Sequence, residues 1–200
     1  HQIIEEFMLA ANEAVAELLH DRGAVFLRRT HAAPDPRKLS ALTDFVRELG
    51  FKTEDLQNRF ALQKLLQDVH GDPRERAVHY ATLRSMQRAV YSPEEDGHYA
   101  LASDCYCHFT SPIRRYPDLT VHRLLDALQR GAPVTQDMEA TLILGDHCSE
   151  REKRATDAER ELVQVKLLHY LEEQLGLQLD GVVTGVESYG FYVAGIDLPA

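Results

Sequence analysis

Two prolines five residues apart, with an arginine pair between them, constrain this chain's path more than any other feature. They lie in "HFTSPIRRYPDLTVHRLL", His108 to Leu125. Proline lacks a backbone N–H and locks φ, so it fits a helix only in the first turn, and it drives the preceding residue out of the α region. Ser111 is a good N-cap and Pro112 a good first helical residue, but Pro117 forbids one smooth helix through both. The spacing predicts a short turn, "SPIRR", and then a new helix that starts at Pro117 and ends at Gly131. Free backbone N–H groups and the guanidiniums of Arg114 and Arg115 then gather at one place. Helix N-terminal amides and arginine both favour phosphate oxygens, so the turn reads as an anion site. The competing reading is that both arginines pair with surface carboxylates, which abound in a chain with 32 Asp and Glu against 22 Lys and Arg.

Helical periods precede this stretch. Ile3, Phe7, Ala10, Ala14 and Leu18 predict the apolar face of a first helix closed by Gly23. "AVFLRRTH" reads as a strand. A second helix starts at Pro36 and ends before Gly50; a third takes Thr53 as N-cap and Gly71 as terminator; a fourth takes Asp72 as N-cap and runs through "AVYS". The period then changes: Tyr99, Leu101, Cys105, Cys107 and Phe109 alternate with other residues, which predicts a strand leading into the arginine turn. That would set the turn at the end of a sheet, where sites commonly lie.

From about Gln136 to Leu175 the pattern is one long helix with a break expected at Gly145. Its charged middle, with Glu150–Arg154 and Lys153–Asp157 spaced four apart, reads as a solvated face. "LQLDGVVTGVESYGFYVAG" reads as strand, turn and strand of a small β-barrel. Two strands bury no core alone, so a second domain is expected from about Leu177. The fold class is α+β, with residues 1–176 one domain and 177–200 the start of another.

A net charge of −10 argues against binding to bulk duplex DNA through diffuse positive charge, while leaving room for a local cluster. The apolar runs are too short for a membrane span, and the first residues form no signal peptide. The chain begins without Met and stops in mid-pattern, so a fragment of a longer protein is expected. Three cysteines without a secretion signal point to a reducing cytoplasm, and the "CYC" spacing does not suit zinc. His98, His108 and His122 read as structural residues.

"RSMQRAVYSPEEDGHYALASDCYCHFTSPIRRYPDLTVHRLL" resembles the signature region of the RNB exoribonucleases, the RNase II / RNase R family. "IIEEFMLAANEAVAE", "PDPRKLSALTDFVRELG" and "HCSEREKRATDAERE" resemble the same family, and occur in this order in its bacterial RNase R branch. The closing "LDGVVTGVESYGFYV" resembles the opening of the OB-fold RNA-binding module that follows the nuclease domain. The resemblance implies a processive 3′→5′ hydrolase of single-stranded RNA that releases nucleoside 5′-monophosphates at a magnesium site, with no DNA or membrane partner; it leaves the oligomeric state open. It implies that Arg114 lies at the reacting phosphate and that Glu5 and Glu6 face the terminal nucleotide. Ser111 and Arg115 are expected to anchor neighbouring phosphates, with Thr110 and Tyr116 beside them. Asn12, seven residues from Glu5 and so on the same helix face, is either an RNA contact or a packing amide. Tyr99, Tyr106, Phe109 and Tyr116 are candidates for base stacking or core packing, and Tyr189, Phe191 and Tyr192 are the better stacking candidates.

One departure from the family matters. Its metal-binding aspartates lie upstream of the "EEFM" helix, at which this chain begins, and "PEEDG" reads as a turn. The expectation is the arginine half of an active site, with magnesium ligands upstream and no metal bound by these residues. The alternatives are a catalytically dead RNB-type RNA-binding regulator and an unrelated helical scaffold.

Overall fold

The computed structural model describes residues 2–133 and 137–195, so Gln136 and residues 196–200 lie outside the described residues. The chain is α+β and divides into two compact units, His1–Ala32 with Arg88–Arg160, and Ala33–Gln87 with Glu161–Ala200.

In the first unit, helix α1 spans Gln2–Asp21. It closes as expected: Gly23 takes a φ of +64°, which glycine adopts without strain, and its N–H donates to His20 O at 2.8 Å. The buried face differs from the expected stripe. Ile3 and Phe7 are each 73% exposed, Ala10, Ala14 and Leu18 are also exposed, and the packed face carries Asn12, Ala16 and Leu19. Two small or bondable residues let another chain segment approach α1 closely, and that outweighs the larger apolar residues.

Strand β1, Arg28–Thr30, pairs antiparallel with β2, Val90–Ser92, in the register Arg29↔Tyr91. The fourth helix therefore stops before "VYS". The strand expected over 99–109 does not form as such. Tyr99–Leu101 is a 3₁₀ turn, followed by Ala102 at φ +58°. The alternation nonetheless has a physical meaning beyond that point. Cys105, Cys107 and Phe109 pack with Ala16, Leu19, Phe26 and Val121, while Tyr106 and His108 point the other way, so this segment is extended. Its one backbone bond to β1 runs from Arg29 N–H to Tyr106 O at 2.9 Å.

Helix α5, Tyr116–Gln129, and the long helix α6, Met138–Glu172, follow. Gly145 does not interrupt α6. Its backbone lies against β2, where an added Cβ would sit 2.5 Å from Tyr91 O. Ser149 fastens this contact, donating its hydroxyl to Gly145 O at 2.8 Å and accepting Tyr91 N–H at 2.9 Å. The charged middle of α6 is the solvated face expected, with Glu150, Lys153, Arg154 and Asp157 all exposed; Glu152 departs from it by taking both Arg29 Nη groups at 2.8 and 3.1 Å.

In the second unit, α2 (Pro36–Glu48), α3 (Arg59–Asp68) and α4 (Glu75–Ser85) enclose Leu39, Leu42, Val46, Leu56, Leu62, Leu65, Val69 and Val78. Asp35 caps α2 through Arg37 N–H at 2.8 Å. The cap of α3 is Asn58, not Thr53: residues 51–58 form a non-helical link that buries Leu56, whose N–H donates to Thr43 Oγ1 at 3.2 Å. Asp72 does accept the Arg74 N–H at 2.8 Å, one turn before α4. Strands β3, Gly181–Glu187, and β4, Gly190–Gly195, form the expected antiparallel hairpin, with an irregularity between Val183 and Gly185.

Candidate functional site

The arginine turn forms as the two prolines require. Ser111 O accepts the N–H groups of Arg114 and Arg115 at 3.3 and 3.1 Å, closing "SPIRR" into one turn. Arg115 then takes an extended backbone (φ −123°, ψ 118°) as N-cap of α5, with Pro117 in the first helical turn and no side chain capping the helix. Pro117 has no N–H to offer, so the amides that α5 leaves without an acceptor among the described residues are those of Tyr116 and Asp118, where the helix dipole adds partial positive charge.

Two buried side chains position the turn. Asn12 of α1, 4% exposed, accepts the N–H groups of Phe109 and Thr110 on Oδ1 at 3.0 and 3.2 Å, and donates from Nδ2 to Tyr106 Oη at 2.8 Å. Asp118 of α5, 0% exposed, accepts Ser111 N–H at 2.8 Å and Arg115 Nη2–H at 2.7 Å on Oδ1. The turn is thus anchored to α1 at one end and to α5 at the other.

The two arginines end up differently. Arg115 is ion-paired to Asp118, and only part of its surface remains open. Arg114 is exposed; the Ser111 hydroxyl accepts its Nε–H at 3.1 Å, and among the described residues no carboxylate pairs with it. Arg114, Arg115 and Tyr116 line a cavity of about 780 Å³ together with Tyr91, His147 and Arg151. Tyr116 is 52% exposed and free to present its ring.

Behind the turn the ionisable groups are held neutral. Burial, followed by the charges of Arg115 and Arg29, pulls His108 down to about 4, and Tyr91 Oη shares a hydrogen bond with its Nδ1 at 2.9 Å. Burial likewise lowers His98 to about 4, with His31 and Arg29 adding to the effect. Burial pushes the Cys107 thiol up to about 12 and raises Cys105 and Cys148 as well. His122 hydrogen-bonds Phe109 O at 2.9 Å and stacks on its ring. These groups are structural, and none offers an activated nucleophile or base beside Arg114. What the arrangement can do is hold a phosphate and stabilise negative charge on its oxygens.

The remaining sequence-predicted residues divide as follows. Ser111 orients Arg114 through its hydroxyl. Thr110 and Asn12 act on the backbone path, and Asn12 has the packing role. Glu5 and Glu6 are exposed on the N-terminal half of α1. Glu5 lies seven residues before Asn12, about 10 Å along the helix. Tyr106 is buried, and Phe109 packs in the core. Tyr189 and Phe191, 77% and 68% exposed, sit on the β3–β4 hairpin of the second unit, where Tyr189 Oη and Tyr192 Oη lie 2.7 Å apart. Among the described residues, no group of three His, Cys, Asp or Glu could hold a metal ion, so these residues do not by themselves fit a magnesium site. No described helix is long and apolar enough to cross a membrane.

Sequence reasoning missed Asp118, His147 and Arg151. Asp118 had a signal, an acid three residues after Arg115 in the first turn of a helix. His147 and Arg151 had none, since only the packing of α6 brings them to the cavity.

The RNB domain model matches residues 1–131. Ribonuclease R of Aquifex aeolicus is 42% identical over 200 residues, covering 96% of this chain and 28% of the relative. Ribonuclease R 1 of Lactococcus lactis is 39% identical over 199 residues, covering 96% and 24%. Among solved structures, Mycoplasma genitalium RNase R in complex with ribose methylated single-stranded RNA matches with a TM-score of 0.84 at 28% identity, over 98% of this chain and 32% of that one. Yeast Ssd1, a pseudonuclease, matches with a TM-score of 0.65 at 31% identity, over 73% and 19%. The chain spans about a quarter to a third of the length of these RNase R relatives.

Proposed function

The chain belongs to the RNB domain family, and on that premise we propose that it supplies the phosphate-binding half of a processive 3′→5′ exoribonuclease acting on single-stranded RNA. One observation carries this reading. Arg114 is an exposed guanidinium, unpaired with any carboxylate among the described residues, beside an uncapped helix N-terminus and on the wall of a large cavity.

In this reading the α5 amides and Arg114 hold the phosphate at the RNA 3′ end. Arg114 neutralises the charge that builds on its oxygens, and the Ser111 hydroxyl keeps the guanidinium aimed. Tyr116 offers a face for a base, and Glu5 or Glu6 contacts the terminal nucleotide. The carboxylates that would hold divalent magnesium belong outside these 200 residues. Residues from 177 onward open an OB-fold module, on which Tyr189 and Phe191 stack bases. The cytoplasm is the compartment that fits three free thiols.

The test compares the chain as it stands with one extended N-terminally through the upstream aspartates. The first should bind labelled single-stranded RNA without hydrolysing it in magnesium; the second should release nucleoside monophosphates. In the extended chain, Arg114→Ala should slow hydrolysis by about 10²–10³ with a much smaller loss of RNA affinity. Robust hydrolysis by the bare chain refutes the half-site reading, and equal losses of rate and affinity reduce Arg114 to a binding residue. An extended chain that binds RNA without cleaving it points to a regulator instead, in keeping with the likeness to a pseudonuclease.

A further inference from the structure

Arg114 and Arg115 are adjacent in sequence, yet only one of them meets a buried acid. A carboxylate with no exposed surface carries a heavy desolvation cost unless it is paired and hydrogen-bonded. Asp118 meets that condition on one oxygen alone: Oδ1 takes Ser111 N–H at 2.8 Å and Arg115 Nη2–H at 2.7 Å, while Oδ2 has no partner. Arg115 Nε is likewise buried without a partner. Two single-point contacts that leave one donor and one acceptor over make a pairing short of the fork-to-fork geometry that Arg29 and Glu152 achieve elsewhere in this unit. Asp118 therefore does two things: it ties the first residue of the turn to α5, and it occupies the second guanidinium.

We propose that Asp118 is a positioning residue that withholds Arg115 from RNA, so that the turn presents the single cation Arg114 to a phosphate. A pair of free guanidiniums at this point would grip neighbouring phosphates and hold the strand in place. One free guanidinium binds a single phosphate and lets go of it, which suits a site past which a strand must move one nucleotide at a time. The inference rests on the phosphate reading above for its RNA arm and is independent of it for its labelling arm.

The labelling arm treats the folded chain with phenylglyoxal and follows each arginine by mass spectrometry. Arg114 should react severalfold faster than Arg115 in the wild type. Asp118→Asn, which keeps an oxygen for Ser111 N–H but removes the charge, should bring Arg115 up to the rate of Arg114. The RNA arm measures affinity for a labelled single strand across a salt series. Each phosphate contact on a single strand contributes about 0.7 to the slope of log K against log salt. Arg114→Gln should flatten that slope by about 0.7, and Asp118→Asn should steepen it by about 0.7, a gain that simple loss of structure would not produce.

Equal labelling of the two arginines in the wild type overturns the proposal, as does a folded Asp118→Asn chain whose slope is no steeper. Should Asp118→Asn fail to fold, the wild-type labelling contrast decides alone. A wild-type chain whose RNA binding has no salt dependence sinks the phosphate reading, and the labelling contrast still tells whether Asp118 withholds Arg115.

Discussion

Removing the Asn12 side chain tests the internal scaffolding of the arginine turn. Asn12→Ala deletes three hydrogen bonds at once: the donation to Tyr106 Oη at 2.8 Å, and the acceptance of Phe109 and Thr110 N–H at 3.0 and 3.2 Å. The three groups left behind are not equivalent. The Tyr106 side chain is buried at 6% exposure, so its hydroxyl bears most of the desolvation penalty, about 1–3 kcal/mol. The two amides belong to half-buried residues that water reaches in part, at about 0.5–1.5 kcal/mol each. The expected loss is about 2–6 kcal/mol. Asn12→Asp separates geometry from charge: a carboxylate still accepts both amides, and the tyrosine O–H can rotate to donate, so the path of the turn is kept, but burying a carboxylate with no cation beside it adds a desolvation cost that should shrink as pH falls and the carboxyl takes up a proton. The assay is urea unfolding followed by far-UV circular dichroism, with the near-UV tyrosine signal reporting on the packing of the buried Tyr91 and Tyr106. RNA affinity should fall for the alanine variant and hold for the aspartate variant, since only the first frees the backbone that leads into the turn. An Asn12→Ala loss below about 0.5 kcal/mol, the range of an ordinary surface substitution, would refute the reasoning.

Two further outcomes follow from the same unit. Gly145→Ala sets a gain in helix propensity of about 1 kcal/mol against a Cβ placed 2.5 Å from Tyr91 O and 3.3 Å from Leu27 Cδ2. The clash is with backbone, so the variant should be destabilised by about 1–3 kcal/mol in urea unfolding, and a stabilised variant would show that α6 does not dock on β2 through this glycine. Acid should weaken the first unit well before its carboxylates titrate. His98 and His108 are lowered to about 4 in the folded state, so below the ordinary histidine value near 6.5 the unfolded chain takes up protons that the folded chain refuses. Their contribution is intact above that value and is lost as pH falls from there towards 4, on the order of 1–2 kcal/mol for each histidine after discounting for partial exposure. Urea midpoints measured across that interval should fall for the wild type and flatten for a His98→Gln, His108→Gln double variant; a wild-type midpoint that holds steady would contradict the buried, neutral assignment.

Much of this molecule follows from local chemistry and was legible residue by residue. The turn and the helix behind it are dictated by Pro112 and Pro117, whose steric demands act within a few residues, and α2, the closing hairpin and the extent of α1, though not its buried face, follow from periodicity, caps and glycine stops of the same short range. The errors arise where a distant partner overrides a local signal. Thr53 has good capping chemistry, but burying Leu56 moves the helix start to Asn58. Gly145 looks like a helix breaker and is instead the one residue type that lets α6 lie against the Tyr91 carbonyl. The alternation over 105–109 is real, and only the chain's return alongside β1 shows that one backbone bond, not a ladder, accompanies it.

The sequence alone determined that two guanidiniums and a helix N-terminus would meet at one turn, because that is short-range covalent and steric logic. It could not determine which guanidinium stays free. That was decided by tertiary packing, which buries Asp118 against Arg115 and leaves Arg114 on the wall of a cavity built partly from α6. An ion pair depends on which atoms lose their water, and burial is a property of the assembled fold.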